Sequence, residues 1–199
     1  MPRHPTHFAL PSPEPRVPAL QVRGPGSSPD PASRVPRPGG SPIVHVSYAL
    51  PRRGLPAPVS FRCWVTAALA GARRRAAAEL AIRIVGTSES RALNRRYRDR
   101  DRATNVLSFT AELAPGLRLP LLGDLVICAP VVAREAREQG KPPAAHYAHL
   151  TIHGVLHLLG HDHQLEAPAQ RMETLETRIL AGLGIADPYA DERGRRPFG

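Results

Sequence analysis

The chain has 199 residues and a formal net charge of +10, from 27 lysines and arginines against 17 acidic residues. That length allows one domain with a real core, and that charge favours a polyanionic partner, nucleic acid before an anionic membrane. The composition excludes a disulfide scaffold, because Cys63 and Cys128 stand alone and read as reduced core thiols.

In chain order, residues 1–41 carry 11 of the 23 prolines and little hydrophobic periodicity. Such a segment cannot bury enough surface to offset its ordering entropy, and it reads as a disordered Pro/Arg-rich tail. RNA contact through its arginines, an over-extended start and a Pro-rich ligand all stay open for it. The folded domain is expected over 42–190, with a flexible tail over 191–199. Residues 43–50 (IVHVSYAL) are a strand, and Pro51, Pro56 and Pro58 make the following loop. Ser60 is placed to cap a helix over 61–73, whose apolar face is Phe61, Trp64, Val65, Ala68 and Leu69. Alternation over 78–86 predicts a strand, and Ser88 opens a short helix through Arg98.

The charged run after Arg98 is a loop, 105–110 a strand, and 111–121 a Gly/Pro turn region. Residues 121–129 (LLGDLVICA) form a strand with Asp124 near its middle. Pro130 suits the first turn of a helix to about 139. A helix over 144–159 is apolar almost all round, which argues for a buried central position. The last helix, over 167–183, turns Met172, Leu175, Ile179 and Leu180 inward. Four strands and five helices predict a single α/β (α+β) domain, a small mixed four-stranded sheet covered by helices. No apolar run approaches the ~20 residues of a membrane helix, and the N-terminus lacks an apolar signal core. No membrane association and a cytoplasmic location are therefore expected.

The central helix carries the chemistry. HGVLHLLGHDH places His153, His157 and His163 in the pattern H-x3-H-x5-H. The first two are stacked on one helical face. Gly160 can end the helix with a positive φ, letting the chain return His163 toward them. Three neutral imidazoles converging on one point suit a zinc-type ion with one position open for water, the coordination of catalysis. The spacing is also that of the metzincin proteases, but Gly154 stands where they carry their general-base Glu. His146 and His149 share the face one or two turns earlier, too far along the axis for ligation, and read as exposed or groove-lining. His161, between the ligands, is expected to point away. Asp162 is a candidate to orient a ligand histidine or to cap the turn, and Asp124 is a second internal polar candidate. Asn105 and Ser108 are candidates for the RNA backbone.

LNRRYRDRDRATNVLSF, LGDLVIC, HGVLHLLGHDH and the closing METLETRILAGLGIADPY occur in that order. Together they resemble the YbeY family, bacterial metal-dependent endoribonucleases of ribosomal RNA maturation, over roughly 43–190. The resemblance implies one zinc ion per chain on His153, His157 and His163, and a functional role for Arg98. It implies cleavage of single-stranded RNA, with roles in small-subunit rRNA 3′-end processing and ribosome quality control. The partners it implies are rRNA, the ribosome or its small subunit, and ribosomal proteins; the oligomeric state stays open. In this reading Arg98 pairs with the phosphate, which its guanidinium fork fits. The attacking group, water or a 2′-OH, stays open. Two other classes remain: a non-catalytic, metal-stabilised ribosome-assembly factor and a metallopeptidase-like hydrolase.

Overall fold

The computed structural model describes residues 40–113, 119–161 and 166–190. The predicted tails, apart from residues 40 and 41, lie outside the described residues, as do Asp162 and His163. Every element below lies within residues 40–190.

Among the described residues nine elements follow in the predicted order: β1 (Ile43–Tyr48), α1 (Pro58–Gly71), β2 (Glu79–Val85), α2 (Thr87–Arg98), β3 (Val106–Thr110), β4 (Leu121–Cys128), α3 (Ala129–Glu138), α4 (Pro143–Leu158) and α5 (Glu166–Gly182). The sheet runs β1-β2-β4-β3, parallel throughout except for β3, which lies antiparallel to β4 at the edge. It is the small mixed four-stranded sheet that the pattern predicts.

The helix ends show why these residues stop where they do. α1 starts at Pro58 rather than at Phe61, with Ala57 as the extended N-cap and no side-chain cap bond. Pro58 supplies the preset φ of the first turn, so Ser60 is not needed as a cap. Pro130 and Pro143 open α3 and α4 in the same way. α4 closes at Gly160, whose φ is +85°. The Gly160 N–H donates to the His157 carbonyl at 2.9 Å, and the His161 N–H donates to the Leu156 carbonyl at 3.0 Å. This is the paired closure of a glycine-terminated helix.

Helices α1, α4 and α5 share one face of the sheet. Their Phe61, Val65, Tyr147, Ile152, Leu156, Met172 and Leu180 pack with Leu80, Ile82, Leu125 and Ile127 into the main core. A smaller cluster on the other face joins Val85, Leu107, Val126 and Cys128 to Val131 of α3, with Leu93 of α2 against it. α4 is the central helix expected from its all-round apolar sequence, and its histidines therefore sit where each needs a partner.

Candidate functional site

Four histidines, His146, His149, His153 and His157, run along one face of α4. Successive ring centroids lie 6.2, 6.1 and 4.5 Å apart. The first three rings each meet a carboxylate brought by another helix. At the start of the helix, His146 Nε2 lies 2.9 Å from Glu135 Oε2 of α3. The Asn105 side-chain amide donates to the same oxygen at 3.1 Å. His146 is 5% exposed. It is therefore a buried, paired residue and not the exposed or groove-lining one expected from its place in the sequence.

Further along, a carboxylate from α5 takes over. Glu176 is fully buried. His153 Nδ1 lies 2.8 Å from its Oε1, and His149 Nε2 lies 3.3 Å from its Oε2. The Tyr189 hydroxyl donates to Oε2 and stands 3.1 Å from His149 Nε2. Burial by itself would raise the acid's pKa. The hydrogen bonds from His149 and His153, the charge of His153 and the bond from Tyr189 override it and hold the pKa down at about 2. Glu176 is thus a carboxylate at neutral pH, able only to accept, so the proton between it and His153 sits on Nδ1. In a neutral ring this leaves the lone pair on Nε2.

That nitrogen is aimed at His157: the two Nε2 atoms lie 3.1 Å apart. Two nitrogens bound to one tetrahedral zinc at about 2.0–2.1 Å stand roughly 3.3 Å apart. The pair therefore fits a shared divalent ion. The Nδ1 contact to Glu176 supplies the carboxylate–histidine support that ligating imidazoles usually have. His149, His153 and Glu176 also bring three ligand-type atoms within 4.8 Å of one another. Both Glu176 oxygens also meet Tyr189 or a histidine of that trio.

Gly154, beside His153, explains the missing peptidase base. A Cβ there would stand 2.7 Å from Leu125 Cδ2 and 3.3 Å from Ser108 Oγ. β3 and β4 approach α4 closely here, so any side chain at 154 requires Leu125 to shift. Ser108 Oγ is thereby placed against Gly154 of α4. Asp124 is not: Leu125 faces α4, so its neighbour on β4 projects from the opposite face of the sheet. Asp124 is half-buried there, with its pKa raised by burial.

Arg98 is the last residue of α2 and is exposed. Arg95 and Arg96 share that last turn, and Arg100 and Arg102 follow in the loop, all exposed. Two buried polar residues build this loop. Ser90 Oγ donates to the Thr104 carbonyl at 2.9 Å and accepts from the Thr104 N–H at 3.0 Å. Asn94 donates to the Arg102 carbonyl at 2.8 Å. Asn105, offered above for RNA backbone, spends its amide on Glu135 and its side-chain oxygen on the Val106 N–H at 2.7 Å.

Sequence reasoning missed Glu176, Tyr189, Ser90 and Asn94. For Glu176 the signal was present: it lies on the inward stripe with Met172, Ile179 and Leu180, and an acid on an apolar stripe needs donors.

Fold and site together define a class, a single α/β domain built around a histidine and carboxylate cluster suited to a metal. Residues 59–184 match the family model described as Endoribonuclease YbeY. A protein of that name from Stenotrophomonas maltophilia (strain R551-3) is 66% identical over 154 residues, covering 75% of this chain and 94% of that protein. Another from Xanthomonas axonopodis pv. citri (strain 306) is 65% identical over 153 residues with the same coverage. The chain belongs to the YbeY endoribonuclease family.

Proposed function

We propose that this chain is a zinc-dependent endoribonuclease that cleaves single-stranded RNA. Its setting would be the cytoplasm, in 3′-end processing of small-subunit rRNA and in ribosome quality control, with the ribosome and its proteins as partners. The relatives' shared name supports the reaction class. The observation that carries the metal is the Nε2 pair of His153 and His157 at 3.1 Å, with Nδ1 of His153 tied to a buried carboxylate. His153 and His157 hold the ion, one per chain, with His163 as the third ligand.

Zinc bound there supplies a Lewis acid for a phosphoryl oxygen and lowers the pKa of a bound water. The protein's own groups do the rest. Arg98, in the exposed basic turn at the end of α2, pairs with the phosphate and opposes the charge that grows on it. Ser108, whose Oγ packs against Gly154 of α4, is the candidate for the RNA backbone. Glu176 takes no part in proton transfer, because its oxygens already accept from His149, His153 and Tyr189. Gly154 in place of the peptidase base, packed closely against Leu125, disfavours the metallopeptidase class.

Elemental analysis of the purified chain beside Arg98→Ala, each tested on one single-stranded RNA, checks the assignment. One zinc per chain in both, with cleavage reduced at least about 100-fold in the variant, is the expected result, the scale of losing one charge-stabilising group. An Arg98→Ala protein that cuts RNA as well as the parent removes that arginine from the mechanism. Zinc without cleavage in the parent, on naked RNA and on small subunits alike, favours the assembly-factor class.

A further inference from the structure

The segment after α5 is tied down at several points, and its Tyr189 leads through Glu176 to His153. The Asp187 Oδ1 accepts from the Tyr189 N–H at 2.9 Å and from Thr177 Oγ1 of α5 at 3.2 Å. Lys141, the chain's sole lysine, reaches from the α3–α4 connection to donate to the Pro188 carbonyl at 2.6 Å. The Tyr189 ring stands edge-on to His149, with centroids 5.4 Å apart and planes at 83°. So placed, the Tyr189 hydroxyl donates to Glu176 Oε2, while Oε1 of the same carboxylate meets His153 Nδ1. A segment running on from a last helix is ordinarily loosely held. Here four contacts from α4, α5 and the loop before α4 converge on three residues. The carboxylate at the far end of the relay is fully buried on α5. Its donors decide which way its oxygens face.

We propose that Asp187, Pro188 and Tyr189 form a strap that positions the ligand histidine: Tyr189 orients Glu176, and Glu176 fixes the tautomer and plane of His153. Tyr189 is a positioning residue that acts through two others, and it lies beyond the stretch 59–184 that the family model matches. The inference rests on the zinc reading above. It extends that reading from the ligands to a segment some 30 residues away, and it assigns the lysine a structural purpose that basic charge alone does not suggest.

The test is zinc affinity by competition with a chromophoric chelator, on the full chain and on Tyr189→Phe. The visible spectrum of each protein reconstituted with Co(II) is recorded beside it. Removing one hydroxyl keeps the ring in its place. The expected result is zinc affinity weakened about 10-fold or more, the scale of losing a partner behind a ligand histidine, together with a changed cobalt ligand-field band and an unchanged far-UV spectrum. A role in general stability would lower the melting temperature yet leave the cobalt spectrum of the folded protein as it was. Lys141→Ala leaves Tyr189 and Glu176 intact while loosening the strap, and is expected to weaken zinc in the same direction by a smaller factor. Wild-type zinc affinity with an unchanged cobalt band in Tyr189→Phe overturns the proposal. So does the same outcome in Lys141→Ala, should the tyrosine variant not fold. A parent and a His157→Ala variant that bind zinc equally identify a different failure, that of the metal reading itself, and the strap falls with it.

Discussion

Two carboxylates face the histidines of α4, and they use them differently. At the start of the helix, Glu135 meets His146 through Nε2, and Asn105 shares the same carboxylate oxygen. One turn past the middle, Glu176 meets His153 through Nδ1. In the first pair the far nitrogen of the ring is spent on the carboxylate, and the unit ties α3 and the start of β3 to α4. In the second the near nitrogen is spent, so the far one is left to point at His157. The residue types are the same and the helix is the same. The difference is which ring nitrogen the carboxylate takes, and it separates a fastening from the pair proposed to hold the metal. A list of histidines cannot express this, because the choice is made by where α3 and α5 put their acids.

The widest break between the two regions comes from deleting a ring in each. His157→Ala removes one of the two converging nitrogens, and we expect loss of zinc by elemental analysis and of RNA cleavage by at least about 100-fold. His146→Ala should keep its zinc and its cleavage per folded molecule. It should lose about 2–4 kcal/mol in urea unfolding, for a buried ring removed and a carboxylate left short of a donor. If His146→Ala loses zinc as completely as His157→Ala, the distinction between the two regions collapses.

A second variant introduces a third acid on the same helix. Gly154→Glu would restore the metzincin spacing, but its Cβ meets Leu125 Cδ2 at 2.7 Å and the carboxylate would have no prepared donors. Overpacking and an unpaired buried charge together should cost roughly 3–5 kcal/mol. We expect a lowered melting temperature and no peptide cleavage. A stable Gly154→Glu protein with zinc-dependent peptidase activity would show that the glycine is incidental.

Much of this was legible beforehand, for reasons that differ by residue. The helix of His153 and His157 was legible because its apolar positions run all round, which only a buried helix tolerates. Its end at Gly160 was legible because one residue type suits a positive φ. The pairing of Glu176 was not, although Met172 and Ile179 frame it, because an acid on an inward stripe gives no direction to its partner. Tyr189 gave less still, since a tyrosine after a proline has no periodic pattern to place it. Ser90 and Asn94 sit at helical spacing on α2 among exposed arginines. Their burial follows from the loop folding back over them, a tertiary event with no local signal. Asp124 stands next to a core leucine, and strand alternation alone puts it across the sheet from the site.

The smallest effect concerns Glu135, and its sign follows from the direction of its shift. Burial alone would raise its pKa. The hydrogen bonds from His146 and Asn105, with the charges of His146 and Arg134, outweigh burial and leave it below the ordinary 4.5. A depressed acid contributes stability in full above its unfolded pKa and loses it as pH falls through the folded value. The gap in unfolding free energy between the parent and Glu135→Gln should therefore be constant from pH 7 down to about 5. It should begin to close near pH 4.5 and vanish at lower pH. At neutral pH we expect a gap of about 1–3 kcal/mol, the range for hydrogen bonds to a charged group. Zinc stoichiometry at pH 7 should be the same in both proteins, because the His146 ring serves the fastening and not the ligand site. A gap that instead grows on acidification would mean that Glu135 binds its proton more readily in the folded state. The bonds to His146 and Asn105 would then be weaker than burial, and the fastening would have to be assigned to packing rather than to charge.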